Sequence, residues 1–381
     1  MSLLRTLSTR SLVLLAVAAA VLVAGGAAIA VAAGDGGPKP APKALDRALH
    51  DALAAPAPAG ITARVKFTNK LFPSGALLGN AGSALMSGAS GRLWMTNDGR
   101  GRIELQSDAG DVQLVWSQRA LRVYDASSNT VYRVSLPKHG ASGHGEAPAL
   151  SEIDSVLSKL GAHATISTAE PTDVAGRPAY NVAVSPKHDG GLLASARLAW
   201  DAVRGVPLRI SIFAQGSNSP VLELKVTQIS YGSVPSSDVQ VAPPAGTKTV
   251  DLAAPAGPRK EHGSSVTGLA TVQAHVGFPV KAPKTLVGLP LQDVRLVQKA
   301  ALVVYGHGLG AIVVLERKAD SAQGGNGAMS SLPRVSLDGV TAHELATQLG
   351  TVLEWRSNGT AYVLAGSLPP AAAETAARAL K

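Results

Sequence analysis

Between residues 61 and 136, apolar and polar side chains alternate in short runs that are cut at close intervals by turn residues. In ITARVKF, Ile61, Ala63, Val65 and Phe67 alternate with Thr62, Arg64 and Lys66. A period of two gives an extended strand one dry face and one wet face. The pattern returns in GRLWM at 91–95, RIELQ at 102–106, VQLVW at 112–116, ALRVYD at 120–125 and TVYRVSL at 130–136. Asn97-Asp98-Gly99, Asp108-Ala109-Gly110 and Ser127-Ser128-Asn129 separate the runs, and such residues favour tight turns. Short strands at this spacing predict an antiparallel meander. Four more strands are expected at 177–186, 195–201, 207–215 and 221–232.

Helical periodicity is scarce over the same stretch. ALDRALHDALAA at 44–55 places Leu45, Leu49 and Leu53 on one face, and ALSEIDSVLSKL near 149–160 does the same with Ile153, Leu157 and Leu160, with Ser151 as a candidate cap. A large one-sided sheet must bury its apolar face, and two or three short helices are too few to cover it. The expected fold is α+β: a strongly curved antiparallel sheet, an unclosed β-barrel capped by short helices, over residues 44–250. Such a fold leaves an apolar hollow. Its candidate walls are Ile61, Val65, Phe67, Leu93, Met95, Ile103, Leu105, Leu114, Trp116, Leu121 and Val123. Trp116 reads first as ordinary core and second as cavity wall. The Gly/Ser-rich segment 71–88 carries Leu71, Phe72, Leu77, Leu78, Leu85 and Met86. It reads as a flap packed on the barrel or as a movable lid over the hollow.

Residues 11–33 form an uncharged apolar run behind Arg5 and Arg10. About 20 such residues cross a bilayer as a helix, and the basic flank keeps the N-terminus in the cytoplasm. Residues 1–33 are expected to be a signal anchor, a single pass in the cell membrane with the body extracytoplasmic. If Ala30-Val31-Ala32 is a cleavage site, the segment is a signal peptide and the body is secreted. Residues 34–43, GDGGPKPAPK, form a Gly/Pro spacer. There are no cysteines, which removes disulfides, thiolate metal sites and a cysteine nucleophile. The net charge of +9 is spread through residues such as Arg92, Arg102, Arg122 and Arg133, with no basic run. These read first as solvated strand faces and second as attraction to an anionic membrane surface. Aromatic residues are only 4% of the chain, so no nucleic-acid partner is expected.

After a polar linker at 251–263, residues 264–381 predict a small α+β domain. It comprises a helix near 265–276, a hairpin in ALVVYGHGLGAIVVLERK at 301–318, a strand pair turned at Asn358-Gly359, and a terminal helix. Gly306, Gly308 and Gly310 join two strands, whereas a phosphate loop leads into a helix. His343-Glu344 begins like a zinc-protease helix, but Thr347 stands where the second histidine is required. His139, His144 and Glu146 share a Gly-rich loop and read as solvated. No residue set matches a catalytic constellation, so no enzyme, metal or cofactor is expected.

The runs LRVYDASSNTVYRVSLP, VAGRPAYNVAVSPK, ARLAWDAVRGVPLRISIFAQG and VLELKVTQISYGSV resemble the superfamily of the lipoprotein carrier LolA. That superfamily includes the LppX/LprG lipid-binding proteins and the N-terminal domain of the envelope-stress regulator RseB. The Tyr124-Asp125, Asn129, Tyr132-Arg133 hairpin and the Gly176-Arg177-Pro178-Ala179-Tyr180 strand entry carry the likeness. Val239 and Val241 stand where relatives carry an aromatic pair, and no cysteine is available for acylation. Gly277-Phe278-Pro279, Val304-Tyr305-Gly306, Leu353-Glu354-Trp355 and Tyr362-Val363-Leu364 make the second half similar to a C-terminal domain of Gram-positive sporulation and anti-sigma-type proteins. The resemblance implies an exported envelope protein that binds a lipid or acylated protein in a half-barrel cavity. The alternative it implies is an RseB-like regulator acting on a membrane-bound partner such as an anti-sigma factor.

Overall fold

The structure is a computed structural model and describes residues 37–71, 84–136, 148–187, 190–252, 266–319 and 332–381. It divides into two compact units, one built mainly from residues before Pro258 and one mainly from Pro258–Lys381.

Among the described residues, the first unit is a thirteen-stranded, strongly curved sheet with four short helices. In chain order its elements are α1 (Leu45–Ala54), β1 (Gly60–Asn69), α2 (Ala84–Ser87), β2 (Ala89–Thr96), β3 (Gly101–Ser107), β4 (Gly110–Trp116), β5 (Ala120–Asp125) and β6 (Thr130–Ser135). Then come α3 (Leu150–Gly161), β7 (Ala164–Ile166), β8 (Glu170–Val174), β9 (Arg177–Pro186), β10 (Leu193–Asp201), β11 (Pro207–Ala214), β12 (Leu222–Tyr231), α4 (Ser236–Val239) and β13 (Lys248–Leu252). The strand order is β13-β6-β5-β4-β3-β2-β1-β12-β11-β10-β9-β7, with β8 also on β9.

The sheet bends where β1 meets β12. Arg64 pairs with Gln228 but Val65 pairs with Val226, so Thr227 is an extra residue in β12. A bulge of this kind kinks the strand and raises its twist. Two of the helices pack on the β9–β10 part of the sheet. Ala48 and Ala52 of α1 pack with Tyr180, Val182, Leu198 and Trp200, and Leu160 of α3 packs with Ala164, Val184 and Ala196. Small alanines on α1 let its backbone approach the large aromatic pair closely.

Several sequence expectations need correction. Ser151 does not cap α3; the helix starts after Ala149, whose N–H donates to the Glu152 carboxylate at 3.2 Å. β13 was not expected. It pairs parallel to β6, and its residues KTVDL are mostly exposed and lack a dry face.

Among the described residues, the second unit is an eight-stranded sheet with two α-helices. Its elements are α5 (Leu269–His275), β14 (Thr285–Leu286), β15 (Leu289–Val297), β16 (Ala300–Tyr305), β17 (Ile312–Lys318), β18 (Arg334–Leu337), β19 (Val340–Thr347), β20 (Gly350–Ser357), β21 (Thr360–Gly366) and α6 (Pro370–Arg378). The order is β14-β15-β16-β17-β21-β20-β19-β18. Val272 of α5 and Ala373, Ala376 and Ala377 of α6 close a core with Tyr305, Leu353, Trp355 and Leu364. The helix expected from residue 265 begins only at Leu269. Gly268 N–H donates to Val294 and Leu296 N–H to Val266, so those residues pair with β15 instead. Gly308–Gly310 is a 3-10 turn between β16 and β17. His343 and Glu344 lie on β19, a strand.

Candidate apolar binding site

Strand register sets the candidate walls in rows. Ile61 lies opposite Met95, Met95 opposite Gly101, Gly101 opposite Trp116, and Trp116 opposite Leu121. A second row runs Ala63, Leu93, Ile103, Leu114 and Val123, and a third Val65, Gly91, Leu105 and Val112. Side chains at paired positions share a face of the sheet, so all eleven wall residues, Phe67 included, stand on one face.

That face is graded in burial. Ile61, Val65 and Leu105 are buried, and Phe67, Leu93, Met95, Ile103, Leu114 and Val123 pack half-buried against them. Trp116 and Leu121 share the first row and are half-buried but stand outside that packed cluster. Gly101 accounts for Trp116. A Cβ there would lie 2.0 Å from the indole ring, so only glycine lets the ring lie across β3.

The cover over this face among the described residues is α2, a single turn lying against β1, β3 and β4. Ala84 is buried and Leu85 packs on the cluster. The Asn69 side-chain amide donates to the Leu85 carbonyl at 2.7 Å and ties the turn to the end of β1. Gly88 ends it at φ +85, where a Cβ would also sit 3.0 Å from the Phe67 carbonyl oxygen. Leu71 and Met86 are half-buried; Phe72, Leu77 and Leu78 lie outside the described residues.

One end of the first row is polar, and sequence reasoning missed it. Tyr231 lies opposite Ile61, and its hydroxyl donates to Asp201 Oδ2 at 2.7 Å. Asp201 is 3% exposed, and its Oδ1 accepts the N–H groups of Val203 and Arg204 at 2.8 and 2.9 Å. Burial first, then the Asp201 carboxylate, pushes the Tyr231 phenol well above its ordinary range, so it remains a neutral donor. The guanidinium groups of Arg177 and Arg204 stand 5.2 and 5.5 Å from the Tyr231 ring centre, within cation–π range. The apolar rows therefore end at a phenol flanked by two cations. In the sequence Asp201 reads only as the last residue of the strand expected at 195–201.

Val239 and Val241 lie on the opposite, outer face. Val239 is buried where α4 crosses β2 and β3, and the Arg122 guanidinium donates to the Val241 carbonyl at 3.3 Å. Val241 and Pro243 edge a shallow hollow there with Gln113, Val115 and Tyr124. No group of three or more His, Cys, Asp or Glu able to hold a metal ion occurs among the described residues. No helix among them is long and apolar enough to cross a membrane; residues 11–33 lie outside the described residues.

No family model matches the chain, and no curated protein matches it in sequence. Solved structures do match. The Pseudomonas aeruginosa MucA/MucB complex is 16% identical with TM-score 0.41, covering 87% of this chain and 95% of that one. MucB alone is 14% identical with TM-score 0.39, covering 87% and 96%. A LolA superfamily protein from Nitrosomonas europaea is 9% identical with TM-score 0.24, covering 52% and 98%.

Proposed function

We propose that the first unit binds an apolar ligand, the acyl chain of a lipid or lipoprotein, along the inner face of β1–β5, in an exported envelope protein. The observation that carries this is the wide apolar face in register across five strands, with Leu93, Met95, Ile103, Leu114, Trp116, Leu121 and Val123 all half-buried. A protein core would bury such a face fully. Each buried CH₂ contributes roughly 0.8 kcal/mol, so a long acyl chain binds without specific polar contacts. At the Tyr231 end, Arg177 and Arg204 offer two cations to an anionic or carbonyl head group, while the Tyr231 hydroxyl proton stays donated to Asp201. Native mass spectrometry of gently extracted protein, with uptake of a fluorescent fatty acid, tests the reading. A co-purified lipid and saturable uptake are expected; a lipid-free protein with no uptake sinks it.

A second reading rests on the second unit. Among the described residues its sheet ends at β14 and β18, and a strand edge with no neighbouring strand can accept one from a partner; at β18 such a partner displaces the Arg378 and Lys381 side chains from the Ser336 and Leu337 carbonyls. In that reading the protein is a regulator engaging a membrane-bound partner such as an anti-sigma factor. Cross-linking in native membranes is expected to trap such a protein through residues 334–337; cross-links confined to the first unit argue against it.

A further inference from the structure

The outer face of the first unit carries a feature that apolar binding does not use. Lys66 lies directly opposite Lys225, and Lys225 lies opposite Arg209. Arg209 in turn stands close enough to Arg197 to repel its charge. Two residues away along β1, Arg64 lies opposite Arg92. Like charges at directly opposed positions of a sheet are destabilising, yet here they run through a cross-strand row and a neighbouring pair. Arg64, Lys66 and Arg92 are exposed, and Lys225 and Arg209 half-buried.

Local acids do not cancel this charge. Glu104, opposite Arg92, forms its ion pair with Arg102, and Glu223 accepts a hydrogen bond from the Ser211 hydroxyl at 2.7 Å. Among the described residues, Arg64, Lys66, Arg92, Lys225 and Arg209 form no ion pair. The positions between them are neutral and polar, among them Thr62, Ser90, Thr227, Gln228 and Ser230. Trp94, the large ring at the margin of the face, already lies under the Arg102 guanidinium at 4.9 Å. A protein partner is usually gripped by aromatic anchors seated in pockets. This face offers a broad cationic surface instead, which suits a plane of anionic head groups.

We propose that this outer face docks on an anionic lipid surface. The tether favours that occupant: residues 11–33 are the expected bilayer segment, and the chain from residue 34 to Ala41, whose carbonyl accepts the Tyr180 hydroxyl, reaches at most roughly 28 Å. A body held that close meets the lipid plane at high effective concentration. The docked unit leaves its opposite, apolar face turned away from the membrane.

The absence of cysteine makes a single-site probe simple. The full chain carrying Gln228→Cys, labelled with a donor dye, is reconstituted in vesicles whose lipid head groups carry an acceptor. Energy transfer is expected to rise when phosphatidylglycerol is mixed into phosphatidylcholine, and to fall back as salt is added. The triple variant Arg64→Glu, Lys66→Glu, Arg92→Glu is expected to lose the response while keeping its circular dichroism. The neutralising pair Lys66→Gln, Lys225→Gln, which relieves a like-charge contact and so folds readily, is expected to weaken it several-fold. Transfer indifferent to lipid charge, or a neutralised pair that responds like the parent, overturns the proposal. Donor quenching by an acceptor-labelled poly-glutamate peptide, without any response to lipid charge, assigns the face to an acidic protein segment and overturns it equally.

Discussion

At the scale of single residues, the most consequential group outside the candidate site is Glu316. It sits on β17 opposite Ala301 and Tyr362 and is 0% exposed. Its Oε2 accepts the Lys281 N–H at 2.9 Å, while Oε1 and the nearby Tyr305 hydroxyl have no partner among the described residues. Burial pushes its pKa up to about 7, against the opposing pull of Lys281. The groups facing it are the Lys281 charge and the phenols of Tyr305 and Tyr362, both held neutral above their usual range. The unfolded chain releases this proton at lower pH than the fold does. The contribution of this group to stability is therefore full below about pH 4.5, falls as pH rises, and is lost through about pH 7. The swing is on the order of 3 kcal/mol. Glu316→Gln is expected to flatten the slope and to stabilise the second unit at about pH 8. Urea denaturation at acid and alkaline pH reads this, and an unchanged slope refutes it. The sequence shows Glu316 as the polar tail of an apolar strand; only the partner strands reveal that it is sealed in.

Among elements, strands with their own alternation were legible. β9 occupies Arg177–Pro186 as expected, and β11 and β12 differ from expectation by a residue at their ends. In these segments the local period and the tertiary burial agree. Elements defined by a distant partner were not legible. β13 exists because β6 offers an edge, and α2 is one turn whose place comes from β1, β3 and β4. The cationic row was hidden for the same reason. Lys66 and Lys225 are brought together by pairing across the chain, and the bulge at Thr227 makes the register unreadable from spacing. The lid reading of 71–88 gains one testable joint. Asn69→Ala removes the hydrogen bond to Leu85, at a cost of about 1 kcal/mol, and frees α2 from β1. Release of a bound fluorescent fatty acid is expected to quicken about fivefold in stopped flow. An unchanged rate makes α2 a fixed plug and leaves the gate elsewhere.

For the whole molecule, two cores of different character answer to different conditions. The first unit distributes its apolar side chains over several clusters and leaves one face half-covered. The second gathers sheet and helices into one cluster, with a stacked Trp355–Tyr362 pair at 4.9 Å and a buried carboxyl beside it. A ligand that binds only the native first unit stabilises it by mass action, about 2.7 kcal/mol at a hundredfold excess over Kd. Protonation of Glu316 stabilises the second unit and does not touch the apolar rows. Hydrogen exchange followed segment by segment separates the two. Saturating fatty acid is expected to slow exchange in β1–β5 and leave β16, β17 and β21 unchanged. Lowering the pH from about 8 to about 5, after correction for intrinsic exchange, is expected to slow β16, β17 and β21. Protection by fatty acid centred on β17 would move the ligand into the second unit and reduce the curved sheet to a scaffold. Protection spread along the rows from Ile61 to Leu121 would require the ligand to lie across the strands, as their register arranges.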